Sequence, residues 1–155
     1  MSTERTVRLL LVGLGNLGRR FAELVATKQK ELLHRYKLDV RIVGAADSGG
    51  AAVDPDGLDG AAIAKIKEAG RSVAGLPNVG IPAMTGLELI ETVDADALCE
   101  ATPVNLDAEG EPGLSHVRRA LEKRLHVSTP NKGPIVLAYR ELTALARRQG
   151  GQLRF

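Results

Sequence analysis

The residues best suited to chemistry fall in three short stretches. The first is Gly13-Leu14-Gly15-Asn16-Leu17-Gly18, a G-x-G-x-x-G spacing. This spacing is common, and a glycine-rich turn without a ligand would look the same. Its context gives it meaning: it follows the apolar run Val7 to Val12 and opens an amphipathic segment from about Asn16 to His34. In such a strand–turn–helix unit the first glycine permits the tight turn. The second lets a pyrophosphate approach the backbone, and the third lets the helix pack closely on the strand. The helix N-terminus then offers free N–H groups and partial positive charge to the phosphates.

A dinucleotide site of this kind needs an acidic residue at the end of the next strand, to hold a ribose. Asp47 follows Gly44-Ala45-Ala46 in that place, with Ser48 after it. It lies 29 residues past Gly18, so the first helix or its loop must be extended. Asp47 favours a free ribose hydroxyl and hence NAD, and no arginine follows it directly to take a 2′-phosphate. Ser48 could bond either form and Lys65 could reach round, so NAD and NADP both stay open. A turn aspartate capping its own loop is the competing reading of Asp47.

The other two stretches sit where strands should end. Glu100-Ala101-Thr102-Pro103-Val104-Asn105 follows the apolar run Ala97 to Ala101, and Ser128-Thr129-Pro130-Asn131-Lys132-Gly133-Pro134 follows His126 to Ser128. In open α/β sheets ligands bind beyond the carboxyl ends of strands. Ala101, Thr102, Pro103, Asn105, Pro130 and the Asn131 amide therefore become candidates to flank a nicotinamide ring. Lys132 stands just before a helix N-terminus, where the dipole disfavours a cation. A lysine there is better explained by function than by structure, and it is the one catalytic candidate.

Elements that could position these groups are readable from periodicity. Short apolar runs alternate with helical periods, which predicts βαβ units and a Rossmann-type α/β fold: a doubly wound, mainly parallel sheet with helices on both faces. Val7–Val12 should be central, with Val40 to Ala46 and Ala97 to Ala101 as further strands. Leu17, Phe21, Leu24, Val25 and Leu32 mark the buried face of the first helix. A weak helix is expected at 58–69, a helix from Pro112 to Lys123, and another beginning near Pro134 and stopped by Gly150-Gly151. Residues 49–86, rich in Gly, Ala and Pro, cannot be ordered from the pattern. Leu153 to Phe155 begins one more strand.

Composition narrows the function classes. The length of 155 residues suits a single domain spanning 1–155. Aromatics are 3 %, so the core must be aliphatic, as a helix-covered parallel sheet requires. A net charge of +2 gives no reason to expect nucleic acid. No apolar stretch is long enough for a membrane span. The lone Cys99 cannot form an intramolecular disulfide, and a cytoplasmic protein is expected. His34, His116 and His126 are scattered, without a zinc spacing, so no metal is expected. Cys99 lies within an apolar strand and reads as a core residue rather than a nucleophile. The run Arg118-Arg119 with Glu122-Lys123-Arg124 reads as a solvated helix face.

At these residues the chain resembles a family. Gly13 to Phe21, Ala46-Asp47-Ser48, Asp56-Gly57-Leu58-Asp59, Glu100-Ala101-Thr102-Pro103 with Asn105, and Asn131-Lys132-Gly133-Pro134 look like the nucleotide-binding half of homoserine dehydrogenase. The resemblance runs from Val7 to Phe155, and Asn131-Lys132-Gly133-Pro134 followed by Ala138-Tyr139 and Glu141-Leu142 is its most specific part. It implies interconversion of L-homoserine and L-aspartate 4-semialdehyde with NAD or NADP, a step toward threonine and methionine. It also implies that Lys132 lies near the nicotinamide and substrate. The family's substrate and dimerisation domain has no counterpart here, so homoserine binding, turnover and any oligomer are expected only together with that second domain. Two other readings remain: a stand-alone dinucleotide-binding regulatory module, and the cofactor domain of a related dehydrogenase such as one acting on aspartate.

Overall fold

The computed structural model describes residues 4–155. The elements run β1 (Arg5–Val12), α1 (Asn16–Tyr36), β2 (Leu38–Asp47), β3 (Gly50–Val53), α2 (Gly60–Glu68), a 3-10 turn (Val73–Gly75), β4 (Gly80–Pro82), α3 (Gly86–Thr92), β5 (Ala97–Glu100), α4 (Gly113–Glu122), β6 (His126–Ser128), α5 (Lys132–Gln149) and β7 (Leu153–Arg154). They form one seven-stranded sheet in the order β4-β3-β2-β1-β5-β6-β7. Neighbours from β2 to β7 pair in parallel, while β3 and β4 are antiparallel additions. The chain crosses from β2 on one side of β1 to β5 on the other, so the expected switch point lies at the carboxyl ends of β1 and β5.

Alternation along the strands explains the layering. Leu9 and Leu11 pack with Ala22 and Val25 of α1 and Ile63 and Ile66 of α2. Leu10 and Val12 point the other way, into Leu89 and Ile90 of α3, Val117 and Leu121 of α4, and Leu142 of α5. Both faces are covered, which is why β1 reads as a continuous apolar run. The β1–β2 register slips between Leu9 and Leu10. A Cβ on Gly44, just past that bulge, would sit 2.9 Å from both Leu10 and Leu89.

One expectation is met and another changes. The extra length before Asp47 is helix: α1 has 21 residues and ends at Lys37 in the left-handed conformation. Its buried face, however, is Gly18, Ala22 and Val25, while Leu17 and Leu24 are 57 % and 51 % exposed. Small residues bring α1 close to the sheet, and the bulky ones at its flank stay outside. The stretch 49–86, which the pattern could not order, holds β3, α2, the 3-10 turn and β4, and ends where α3 begins. Helix α3 starts at a capping box, in which Thr85 and Glu88 exchange side-chain and backbone hydrogen bonds.

Candidate cofactor site

The three glycines of the first motif do three different things. Gly13 has φ +94, and a Cβ there would lie 2.4 Å from the Ala101 carbonyl carbon. The turn is thereby pressed against the start of the loop after β5. A Cβ on Gly18 would lie 1.9 Å from the Gly13 carbonyl oxygen. Over Gly15 there is nothing within 4 Å. Gly15 is the N-cap of α1, with no side-chain cap and no acidic residue in the first turn. The result is an exposed helix N-terminus that an anion can approach, with Asn16 and Leu17 next in line. Leu14 is buried at 4 % and anchors the turn from below. Gly13 N–H donates to Ala46 at 3.0 Å and Ala101 N–H donates to Val12 at 2.7 Å, so the ends of β1, β2 and β5 are tied together.

Asp47 stands at the end of β2 as expected, but its carboxylate is already engaged. It accepts from Lys67 Nζ at 2.7 Å, Ser72 Oγ at 2.6 Å, Val73 N–H at 3.0 Å and Gly49 N–H at 2.9 Å. Burial would push its pKa up, but these bonds from Lys67, Ser72 and the two amides outweigh burial and hold it below the ordinary value. Asp47, the ribose candidate of the sequence, thus has its side chain only 6 % exposed and closes its own turn in this structure. Its acceptors are taken by the turn it closes and by the start of the 3-10 turn. The lysine that reaches round is Lys67, not Lys65. Ser48, beside it, is exposed.

Beyond β5 and β6 the structure brings the two strand-end motifs together around a motif residue that the sequence reading did not name as a site candidate. Glu100, the last residue of β5, has no exposed surface. Thr102 donates to its Oε1 through both the backbone N–H, at 3.0 Å, and the hydroxyl. Thr129 Oγ1 donates to Oε2 at 2.9 Å and accepts from Asn131 N–H at 3.1 Å. Asn131, 2 % exposed, donates from Nδ2 to Thr102 at 3.3 Å and caps α5 by accepting from Gly133 N–H at 3.0 Å. The Asn131 amide thus faces inward rather than standing free beside a ring. Burial would push Glu100 up, but the nearby His116 imidazole, 3.8 Å away and not hydrogen-bonded to it, and the bonds from Thr102 and Thr129 hold its carboxyl below the ordinary range. The one sequence cue was an acid closing an otherwise apolar strand.

Around this hub, Ala101 and Thr102 are half-buried, and Pro103, Asn105 and Pro130 are exposed. Asn105 Oδ1 accepts from Ala108 N–H at 3.2 Å and so shapes its own loop. Lys132 is the first residue of α5 and is exposed. Cys99 packs against the core beside β1, and burial pushes its thiol up to about 11, as its reading as a core residue requires. Among the described residues no group of three or more His, Cys, Asp and Glu is placed to hold a metal, and no helix is long and apolar enough to cross a membrane. The basic run on α4 is more than a solvated face. Arg118 pairs with Glu141 of α5 at 2.6 Å, Arg119 pairs with Glu91 of α3, and Lys123 donates to the Ile90 carbonyl at 2.8 Å.

Known proteins match this architecture. Residues 2–112 fit the family model described as Glutamate/Leucine/Phenylalanine/Valine dehydrogenase. Over 142 residues the chain is 35 % identical to a homoserine dehydrogenase of Methanocaldococcus jannaschii, covering 92 % of this chain and 41 % of that protein. It is 38 % identical over 141 residues to an NAD(+)-dependent homoserine dehydrogenase of Pseudomonas canavaninivorans, covering 90 % of this chain and 40 % of that one. A hyperthermophilic archaeal homoserine dehydrogenase, solved in complex with NADPH, has the same fold at a TM-score of 0.80 and 23 % identity, covering 97 % of this chain and 44 % of that one. The chain therefore spans about 40 % of the length of the curated relatives it matches. The family model and the relatives name different amino acids and agree on a dehydrogenase. By the extent of the model match, the chain belongs to the Glutamate/Leucine/Phenylalanine/Valine dehydrogenase family, and over about nine tenths of its length it is similar to homoserine dehydrogenases.

Proposed function

We propose that this chain holds the nicotinamide cofactor, NAD or NADP, of a homoserine dehydrogenase. One observation carries the reading: the N-terminus of α1 is uncapped, and the space over Gly15 is open. The N–H groups of Gly15, Asn16 and Leu17 would receive the pyrophosphate. The adenosine ribose would lie beyond the Asp47–Ser48 turn. With the Asp47 carboxylate paired to Lys67, no free anion repels a 2′-phosphate there, and the Ser48 hydroxyl suits either cofactor. Both forms occur among the relatives, one named for NAD(+) and another solved with NADPH.

The nicotinamide would lie between the loop of Ala101, Thr102, Pro103 and Asn105 and the loop of Pro130 and Asn131. The bound cofactor supplies hydride exchange between its C4 and the carbon bearing the homoserine hydroxyl. The chain's share is orientation and charge. Lys132 at the mouth would orient the substrate oxygen and stabilise charge on it. Substrate enclosure and any oligomer would come from a second domain, in a cytoplasmic enzyme of threonine and methionine synthesis.

Calorimetry with NAD and NADP tests the binding half of the proposal, and absence of binding to either would overturn it. Nicotinamide absorbance with excess homoserine tests the catalytic half. The chain alone should turn over little, because an open wall forgoes most of the roughly 7–11 kcal/mol that enclosure and orientation supply. A chain extended by the family's second domain should be active. Cofactor binding without activity in the extended chain would favour a regulatory module.

A further inference from the structure

Glu100 is a buried carboxylate with no exposed surface. Burying a charge is costly unless it is well bonded, and an apolar residue would close β5 more cheaply. What Glu100 connects is specific. Oε1 takes the backbone and hydroxyl of Thr102, on the loop after β5. Oε2 takes Thr129, on the loop after β6, and Thr129 in turn holds the Asn131 backbone. Asn131 closes the ring to Thr102 and caps the helix that begins with Lys132.

The surroundings leave room for this ring and for little else. A Cβ on Gly113, at the start of α4, would lie 2.4 Å from Asn131 Nδ2 and 3.4 Å from Glu100 Oε1. A Cβ on Gly86, at the start of α3, would lie 2.9 Å from His116 Nε2. His116, 5 % exposed, brings Nδ1 to 3.8 Å from Glu100 Oε1, and that nitrogen has no hydrogen-bond partner. The strand-end loops are thus fixed to one another through the Glu100 carboxylate and the Asn131–Thr102 bond, while the glycine turn packs against Ala101 and the Thr102 backbone without a hydrogen bond to Glu100.

We infer that Glu100 is the positioning residue of the nicotinamide end: it fixes Thr102 and Asn131 in register and so sets where Lys132 stands. This rests on the dinucleotide reading above. It separates the site into two halves, a phosphate half held by the glycine turn and a nicotinamide half held by the Glu100 ring. Damage to the second half should leave the first intact.

The test uses the 155-residue chain, with ADP-ribose and NADPH as probes. ADP-ribose reports the phosphate half, and the fluorescence of the reduced nicotinamide reports the seating of the ring. Glu100→Gln keeps the volume but loses the charge, and Thr129→Val cuts the link to Asn131. Both variants should bind ADP-ribose within about twofold of the parent chain. They should lose the nicotinamide fluorescence change and bind NADPH about tenfold or more weakly, as expected for losing a hydrogen bond to a charged group. Parallel weakening toward both probes, or retention of the fluorescence change, would overturn the inference. If neither variant folds by circular dichroism, Glu100 is a fold element and the inference fails. A parent chain that binds ADP-ribose without any nicotinamide signal defeats this inference alone. A parent chain that binds neither probe defeats the dinucleotide reading beneath it.

Discussion

Gly18 and Gly13 meet across the first turn so closely that a single methyl group on Gly18 would reach to 1.9 Å from the Gly13 carbonyl oxygen. Gly15, between them in sequence, meets nothing within 4 Å. The two positions therefore separate folding from binding. Gly18→Ala should destabilise the domain by about 1–3 kcal/mol, through overpacking of helix against turn. Gly15→Val should leave the melting temperature nearly unchanged, because the backbone there is extended at φ −71. It should weaken dinucleotide binding by about 1.5–3 kcal/mol for each charge-assisted bond that the side chain blocks. Thermal melts and calorimetry on the two variants give both readings. Equal affinity for Gly15→Val would remove the glycine turn from the site.

Asp47 makes the acid limb of stability predictable. Its folded pKa lies below the ordinary 3.8, held there against burial by Lys67, Ser72 and two backbone amides. A depressed carboxylate contributes stability that is fully present above its unfolded pKa and is lost as pH falls through the folded value. Unfolding free energy should therefore drop as pH is lowered below about 4, and Asp47→Asn should flatten that drop. At neutral pH the same variant should cost about 1.5–3 kcal/mol, because Lys67 and Ser72 lose a charged acceptor. Urea titrations of both chains across the acid range provide the check. An unchanged acid slope would mean that the network does not hold in solution.

Cys99 should behave as a half-buried, poorly reactive thiol. With its pKa pushed up to about 11, almost none is thiolate at neutral pH. Reaction with a disulfide reagent should be slow in the folded chain and fast in denaturant. Rapid labelling of the folded chain would contradict its place in the core.

Lys132→Met should separate catalysis from cofactor binding. Lys132 is exposed at the start of α5, where a cation works against the helix dipole, so its loss should cost no stability. Dinucleotide affinity should change little. In the chain extended by a second domain, turnover should fall about 10²–10⁴-fold, the usual contribution of a positioned acid or base. A variant with full turnover would place the catalytic charge elsewhere.

The parts of this molecule that repeat a local rule could be read from sequence. Val7 to Val12 is buried on both faces, so its apolar run is unbroken, and the glycine spacing follows at once. The parts set by long-range partners could not. Leu17 and Leu24 carry the apolar period of α1, but Gly18 and Ala22 carry its packing, since a close helix–sheet approach rewards small side chains. Asp47 occupies the expected position, and only the arrival of Lys67 and Ser72 from later in the chain turns its carboxylate inward. Glu100 and His116 lie 16 positions apart across a loop, and the one local cue to the buried carboxylate is an acid closing an otherwise apolar strand. The antiparallel pair β3 and β4 departs from the βαβ rhythm on which the reading of the rest depended.

That departure bears on self-assembly. Beyond β2 the sheet does not continue by parallel crossover. It is finished by β3 and by β4, a three-residue strand ending in Pro82. Short length and proline are both ways of blunting a sheet edge against a foreign strand. The margin beside the proposed adenosine end is thus a poor template for amyloid-like stacking, whatever the bulky side chains of α1 leave open nearby.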